Sequence, residues 1–184
     1  MRHYFGWRRA ALVGAGALLI AASVTAARAI TDTKFKYTTP QVGYVPINNM
    51  AMVPVDSTVA NAYSNPAGGG LTNSVGTGCF NTSVHLPNGA LINQLVVWYQ
   101  SGAASDPAVS LIRTTNSSGA SVLLVSQSIP NDAAARRQAN FPVTASAEST
   151  VDNSKQSYGF QVCLGMGDQF YSARIRYTYT SAGD

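Results

Sequence analysis

The chain has 184 residues, with 12 Lys and Arg, 8 Asp and Glu and 2 His. That length suits one domain, and so few histidines leave little scope for imidazole-based nucleophilic or metal chemistry. The formal charge of +4 invites a nucleic-acid reading, which the distribution of that charge excludes.

Residues 1–29 read as an export leader. Arg2, Arg8 and Arg9 make a basic start, residues 10–22 are uncharged and apolar, and Ala27-Arg28-Ala29 places small residues where a signal peptidase reads them. A retained anchor is the competing reading, but a run built mostly of Ala and Gly is a weak membrane span. Cleavage after Ala29 is expected, leaving residues 30–184 as a secreted or periplasmic domain with no membrane span. The Arg8-Arg9 pair also faintly resembles a twin-arginine signal. Four of the 12 basic residues lie in the leader and no acid does, so residues 30–184 carry eight of each. A cationic stripe for phosphate contacts is therefore missing, and no nucleic-acid partner is expected. A net charge near zero gives little mutual repulsion and leaves self-association open.

No helical period follows the leader. Ala133-Ala134-Ala135-Arg136-Arg137 is too short to hold a helix alone. Short β-type runs alternate with turn clusters instead: residues 35–37, 42–47, 51–55, 79–86, 91–99, 108–114, 121–129, 138–143, 158–164 and 171–180. The expectation is an all-β, single antiparallel β-sandwich, jelly-roll-like. Pro46 and Pro54 place the early runs at sheet edges, because proline cannot donate to a ladder. Residues 64–70 read as the largest and most mobile loop. Pro87-Asn88-Gly89-Ala90 reads as the turn of a tight hairpin between residues 79–86 and 91–99, with Gly89 supplying a positive φ.

Alternation assigns faces. Phe80, Val84 and Leu86 oppose Cys79, Asn81, Ser83 and His85. Tyr158, Phe160, Val162 and Leu164 oppose Gly159, Gln161 and Cys163. Tyr171, Ala173, Ile175, Tyr177 and Tyr179 oppose Ser172, Arg174, Arg176 and Thr178. The run 91–99 is apolar on both faces, as a central strand should be. In an exported chain two cysteines read as a disulfide, Cys79–Cys163. Both lie on the polar faces of their strands, so the bridge should join neighbouring strands of one sheet on its outer side. The order Cys79, Trp98, Cys163 also resembles that of immunoglobulin domains. Outward cysteines, and Gln161 in place of a tyrosine two residues before Cys163, weigh against that topology.

His85-Leu86-Pro87-Asn88-Gly89-Ala90, then Val96-Val97-Trp98-Tyr99, Ser105-Asp106 and Val109-Ser110-Leu111-Ile112-Arg113 form a pattern. With Val151-Asp152-Asn153-Ser154, Tyr158 and the Tyr171–Tyr177 segment, it resembles uncharacterised exported bacterial β-sandwich proteins. The resemblance covers roughly residues 78–179 and departs from the pattern over residues 34–74. It implies a compact exported β domain and no particular activity.

Chemistry is sparse. Any triad must use His85, which ends a strand beside Pro87 and more simply frames the turn. No nucleophile elbow or phosphate loop is present. Asp132 and Asp152-Asn153 are the nearest calcium candidates, but Asx residues in turns usually bond their own backbone. The remaining acids fall in turns or near the ends, where solvation accounts for them. No catalytic residue, metal or cofactor is expected. Trp98 and Tyr99 must face opposite sides of their strand, one in the core and one outward. The outward one is either covered on its face or, with Arg174 and Arg176, the candidate contact for a glycan or surface partner, the two arginines then forming a docking stripe for an anionic glycan. Pairing of the two arginines with acids on a neighbouring strand is the simpler alternative. The leading reading is a non-catalytic structural, surface or binding module, open to self-association as a homo-oligomer. Carbohydrate binding through an exposed aromatic is the alternative, and a hydrolase a more distant one.

Overall fold

The computed structural model describes residues 35–56, 63–102, 106–130 and 135–182. The expected leader, the Ala133-Ala134 start of the short alanine run, Asp32, Asp132, Asp184 and Ser105 lie outside the described residues. Residues 37–180 form one compact unit that holds both sheets; residues 35–36 and 181–182, the outer ends of the first and last strands, belong to a second unit.

Eleven strands follow in chain order: β1 (Phe35–Asn48), β2 (Val53–Pro54), β3 (Tyr63–Ser64), β4 (Leu71–Asn73), β5 (Thr77–Val84), β6 (Leu91–Gln100), β7 (Ala108–Thr115), β8 (Ser121–Ser128), β9 (Arg137–Pro142), β10 (Gln156–Gly165) and β11 (Gln169–Ala182). A 3₁₀ turn, Asn49–Ala51, separates β1 from β2. Six strands make one sheet in the order β3-β4-β11-β6-β9, with β1 also on β11; five make the other in the order β2-β5-β10-β7-β8. The pairings are nested: β4 with β11, β5 with β10, β6 with β9, β7 with β8, all antiparallel. First pairs with last and inner with inner, alternating between the sheets, which is the winding of a jelly roll. An immunoglobulin arrangement lacks that nesting. β1 and β2, which carry Pro46 and Pro54, pair on one side only, as expected.

The core lies between the sheets. Phe80, Val109, Leu111, Val125, Phe160, Val162 and Leu164 of the five-stranded sheet face Leu71, Ile92, Leu95, Val97, Tyr99, Phe170 and Ile175 of the other. Phe160 and Phe170 touch across the layers with centroids 5.5 Å apart, and Tyr63 meets Phe80 at 5.2 Å. Each of the three phenylalanine rings, fully buried, contributes about 1.5–3 kcal/mol.

Cys79 and Cys163 stand directly opposite in the β5–β10 register and are bridged, with Cα atoms 4.0 Å apart. Their neighbours Phe80, Val162 and Leu164 are buried while the cysteines are only half-buried, so the bridge lies on the outer side of the five-stranded sheet.

Three expectations need correction. Residues 78–100 do not form a hairpin, because β5 pairs with β2 and β10 while β6 pairs with β9 and β11. The turn is an arch between sheets. Val84 and Leu86 on one side and Ile92 and Leu95 on the other are all buried, and they bury best by facing each other across the core. The arch is tied to a distant turn: Gly89 N donates to Val151 O and Val151 N to Ala90 O, both at 2.8 Å. Asn153 Nδ2 also donates to Leu86 O at 2.8 Å. Gly89 supplies the positive φ, 74°.

The second correction is in β11. The β6 register skips from Phe170 to Ser172, so Tyr171 is a bulge, and Phe170 rather than Tyr171 enters the core. The third concerns residues 64–70, which are pinned by two asparagines. Asn49 Nδ2 donates to Asn65 Oδ1 (2.8 Å) and Gly69 O (3.0 Å), and Asn65 Nδ2 donates back to Asn49 O (2.8 Å). The flanking β3 and β4 were not legible, since strands of two and three residues carry no period.

Candidate functional site: the outer face of the six-stranded sheet

β6 lies between β11 and β9, buried on its inner side and partly covered on its outer one. Its inward residues Ile92, Leu95, Val97 and Tyr99 fill the core. Tyr99 is thereby removed from any surface role, at 4% exposure. Gln94, Val96 and Trp98 face outward. Trp98 is opposite Ser172 and Gln138, and Val96 is opposite Arg174 and Asn140. Val96 is only 1% exposed although it faces away from the core, lying beneath the longer side chains around it.

Arg174 is the centre of this face. Its guanidinium carbon sits 5.4 Å from the Trp98 ring centroid and 4.6 Å from that of Tyr44 on β1. A cation between two aromatic faces is held by both ring quadrupoles. Arg174 Nε is buried with no hydrogen-bond partner. Arg176 follows two residues on, on the same face, opposite Gln94. Among the described residues, the carboxylate pairing considered from sequence is not found. None of the eleven strands contains an Asp or Glu, so no acid stands on a strand beside either arginine.

The bulge extends the platform. Tyr171 turns out of the core, its hydroxyl donating toward Gln169 Oε1 (2.7 Å) with Gln100 Oε1 2.8 Å away. Arg136 lies 3.7 Å from its ring centroid. From Gln94 to Gln100 the outward row of β6 runs ~20 Å at ~3.3 Å per residue, long enough for a chain-like ligand. Tyr44, Tyr171 and Arg136 were missed from sequence. Val42-Tyr44 alternates with Gly43-Val45, and both sets are apolar enough to be the inner one. Gly43 settles it, because a Cβ there would fall 2.3 Å from Tyr177 Cζ, so the inner side of β1 lies against that ring.

Other candidates are spread apart. His85 is exposed and borders a depression of about 390 Å³ lined by Ser83, Asn153, Gln156, Ser157 and Tyr158, with no carboxylate in its wall. A cleft of about 620 Å³ opens between β8 and β9 and is lined by Leu123, Leu124, Phe141 and Glu148 among others. Its acid is engaged by Arg113, Nη2 to Oε1 3.7 Å. Asp152 caps its own turn, accepting from Ser154 N (3.1 Å) and Ser154 Oγ (2.5 Å). The Ser154 bond foremost, helped by Lys155, holds its carboxyl below the usual carboxylate range. Asp168 is not solvated as its turn position suggested. It is fully buried and accepts from Gly165 N (2.8 Å), Ser101 Oγ (3.1 Å) and Gly102 N (3.2 Å), which fastens two loops. Among the described residues no three His, Cys, Asp or Glu side chains cluster as metal ligands, and no helix is long and apolar enough to cross a membrane.

No family model and no curated protein matches the chain. Among solved structures, it is similar to the C-terminal CBM6 of LamC, a marine laminarinase from Zobellia galactanivorans, at 12% identity and TM-score 0.45, over 72% of this chain and 98% of that one. It is also similar to TmCBM61 in complex with β-1,4-galactotriose (12%, TM-score 0.32, 79% and 90%). A Stig cyclase from Fischerella sp. TAU matches comparably (14%, TM-score 0.37, 83% and 91%). Scores this low, spread over modules and a cyclase, assign no activity, and the architecture rests on the strand pairings themselves.

Proposed function

We propose that this protein is an exported, non-catalytic binding module, and that the outer face of its six-stranded sheet holds a polysaccharide. The observation that carries the reading is the assembly of Tyr44, Trp98 and Arg174 from β1, β6 and β11 on one outward surface. Aromatic faces accept the apolar faces of sugar rings, while side-chain amides and guanidinium groups bond hydroxyls at the rim. Gln94, Gln138 and Asn140 surround the rings on this surface. The leader pattern, and a disulfide of the kind that persists in oxidising compartments, support export. The single histidine of residues 30–184, distant in role from any acid, supports a non-catalytic reading.

A glycan array probed with the exported protein tests this, followed by Tyr44→Ala and Trp98→Ala. Each substitution is expected to weaken binding about tenfold, ~1.4 kcal/mol, with melting temperature checked for Trp98→Ala because that ring helps cover Val96. Tyr44 is 51% exposed, so its variant should fold normally. No binding to any glycan, or binding indifferent to both substitutions, refutes the proposal. Self-association is a second reading, favoured by Val42 and Tyr44, 45% and 51% exposed on the edge strand β1. Sedimentation of wild type and Tyr44→Ala decides it, and a strict monomer at high concentration removes it.

A further inference from the structure

We infer that the ligand carries an anionic oxygen group, a uronate carboxylate or a sulfate ester on a polysaccharide, and that Arg174 and Arg176 receive it. The inference rests on the glycan reading of this face and narrows it to a charge class.

Arg174 makes no ion pair among the described residues. Its guanidinium lies against two aromatic rings, and its Nε is buried without a partner. A guanidinium that is desolvated on its Nε side keeps a field little screened by water, and its terminal nitrogens are the donors left for a ligand. Arg176 adds a second positive charge about 7 Å along the same strand face, at ~3.3 Å per residue. Two like charges so placed repel, and an anion between them removes that cost.

Among the described residues, no such anion stands on a strand beside the two arginines. Glu148 is engaged by Arg113, Asp152 by Lys155, and Asp168 lies in the interior. The rings flanking Arg174 fix its planar fork, which suits the paired oxygens of a carboxylate or sulfate. A densely charged polyanion such as nucleic acid fits poorly, because residues 30–184 carry equal numbers of basic and acidic residues. Sparse anionic groups along a sugar chain, with rings stacked between them, match two cations set among aromatics.

The test uses two matched pairs of polymers in affinity electrophoresis with the exported protein: polygalacturonate against its methyl ester, and a sulfated galactan against its desulfated form. The expected result is retardation by at least one anionic member, about tenfold stronger than by its neutral counterpart, and weakening as salt rises from ~0.05 to ~0.5 M. The pair that responds identifies the carboxylate or the sulfate. Arg174→Gln and Arg176→Gln should each reduce anionic binding about tenfold. Arg174→Lys should restore only part of it, since an ammonium lacks the planar fork. Lys155→Gln, at an exposed cation on a turn of another part of the molecule, should change nothing.

Equal retardation by charged and neutral members overturns the anionic assignment and leaves the glycan reading standing. Equal weakening by Lys155→Gln overturns it too, as general electrostatic attraction. Retardation by none of the four polymers and no glycan on the array overturns both. Melting temperatures close to wild type for the Gln variants separate lost contacts from lost fold.

Discussion

The outward position of the disulfide makes its contribution calculable. Cys79 and Cys163 close a loop with a sequence separation of 84, for which the chain-entropy relation gives about 4.5 kcal/mol at 25 °C. Because the bridge lies on the outer side of the sheet, replacing both cysteines with Ala opens no cavity between the layers. The loss should therefore be the loop term alone, without the further cost of a core deletion. Urea unfolding of wild type, reduced wild type and the Cys79→Ala/Cys163→Ala variant measures it. Reduced protein and variant should agree, each about 4.5 kcal/mol less stable than the oxidised form. Their m-values should be larger, because the unbridged chain exposes more surface when unfolded. Native amide exchange along β5 and β10 should keep its pattern, since the ladder itself supplies that register. A loss below ~1 kcal/mol with unchanged m, or exchange showing β5 detached from β10, refutes the account.

Two further stability predictions follow from specific bonds. Asn49→Ala and Asn65→Ala should each cost about 1–3 kcal/mol, because each strands the polar groups of the other in a partly buried site. The double variant should cost clearly less than their sum, as a thermal-melt cycle would show. Tyr158 accepts from Asp152 N (3.1 Å) and donates to Gln156 Oε1 (2.9 Å), and burial foremost raises its pKa above 10.0. Folding thus favours the neutral phenol. That contribution is complete below the unfolded value of 10.0 and is lost as pH rises through the higher folded value. Tyr158→Phe should cost about 1 kcal/mol at neutral pH and make the alkaline decline in melting temperature shallower. Tyr179, also raised by burial, keeps part of that decline. An unchanged alkaline limb would contradict the assignment.

Legibility divided along a physical line. In β10 the strict alternation Tyr158, Phe160, Val162, Leu164 fixed both the buried face and the outward cysteine, because a period of two leaves no freedom. The same rule failed in β11 at one point. A bulge inserts a residue without changing composition, so Tyr171 was given to the core and Phe170 overlooked. The Pro87–Ala90 turn was recognised as a turn, yet local chemistry does not say whether the following strand pairs with its predecessor or crosses to the facing sheet. Asp168 looked like an ordinary turn acid. Three donors make its burial tolerable, one from its own turn and two from the distant Ser101-Gly102 loop, and the distant pair arrives only on folding.

The candidate face divides in the same way. Trp98 and Tyr99 had to point to opposite sides of one strand, and Arg174 and Arg176 to one side of another; sequence alone required that much. It also pointed to an all-β chain with prolines at its edges, from local geometry, and to a bridge between its two cysteines, from the export pattern. Which ring went outward, and that Tyr44 would lie against Arg174 from a strand 130 positions earlier, were settled by pairing order. Order is fixed by the summed burial of two whole sheets, a quantity that no stretch of sequence contains by itself.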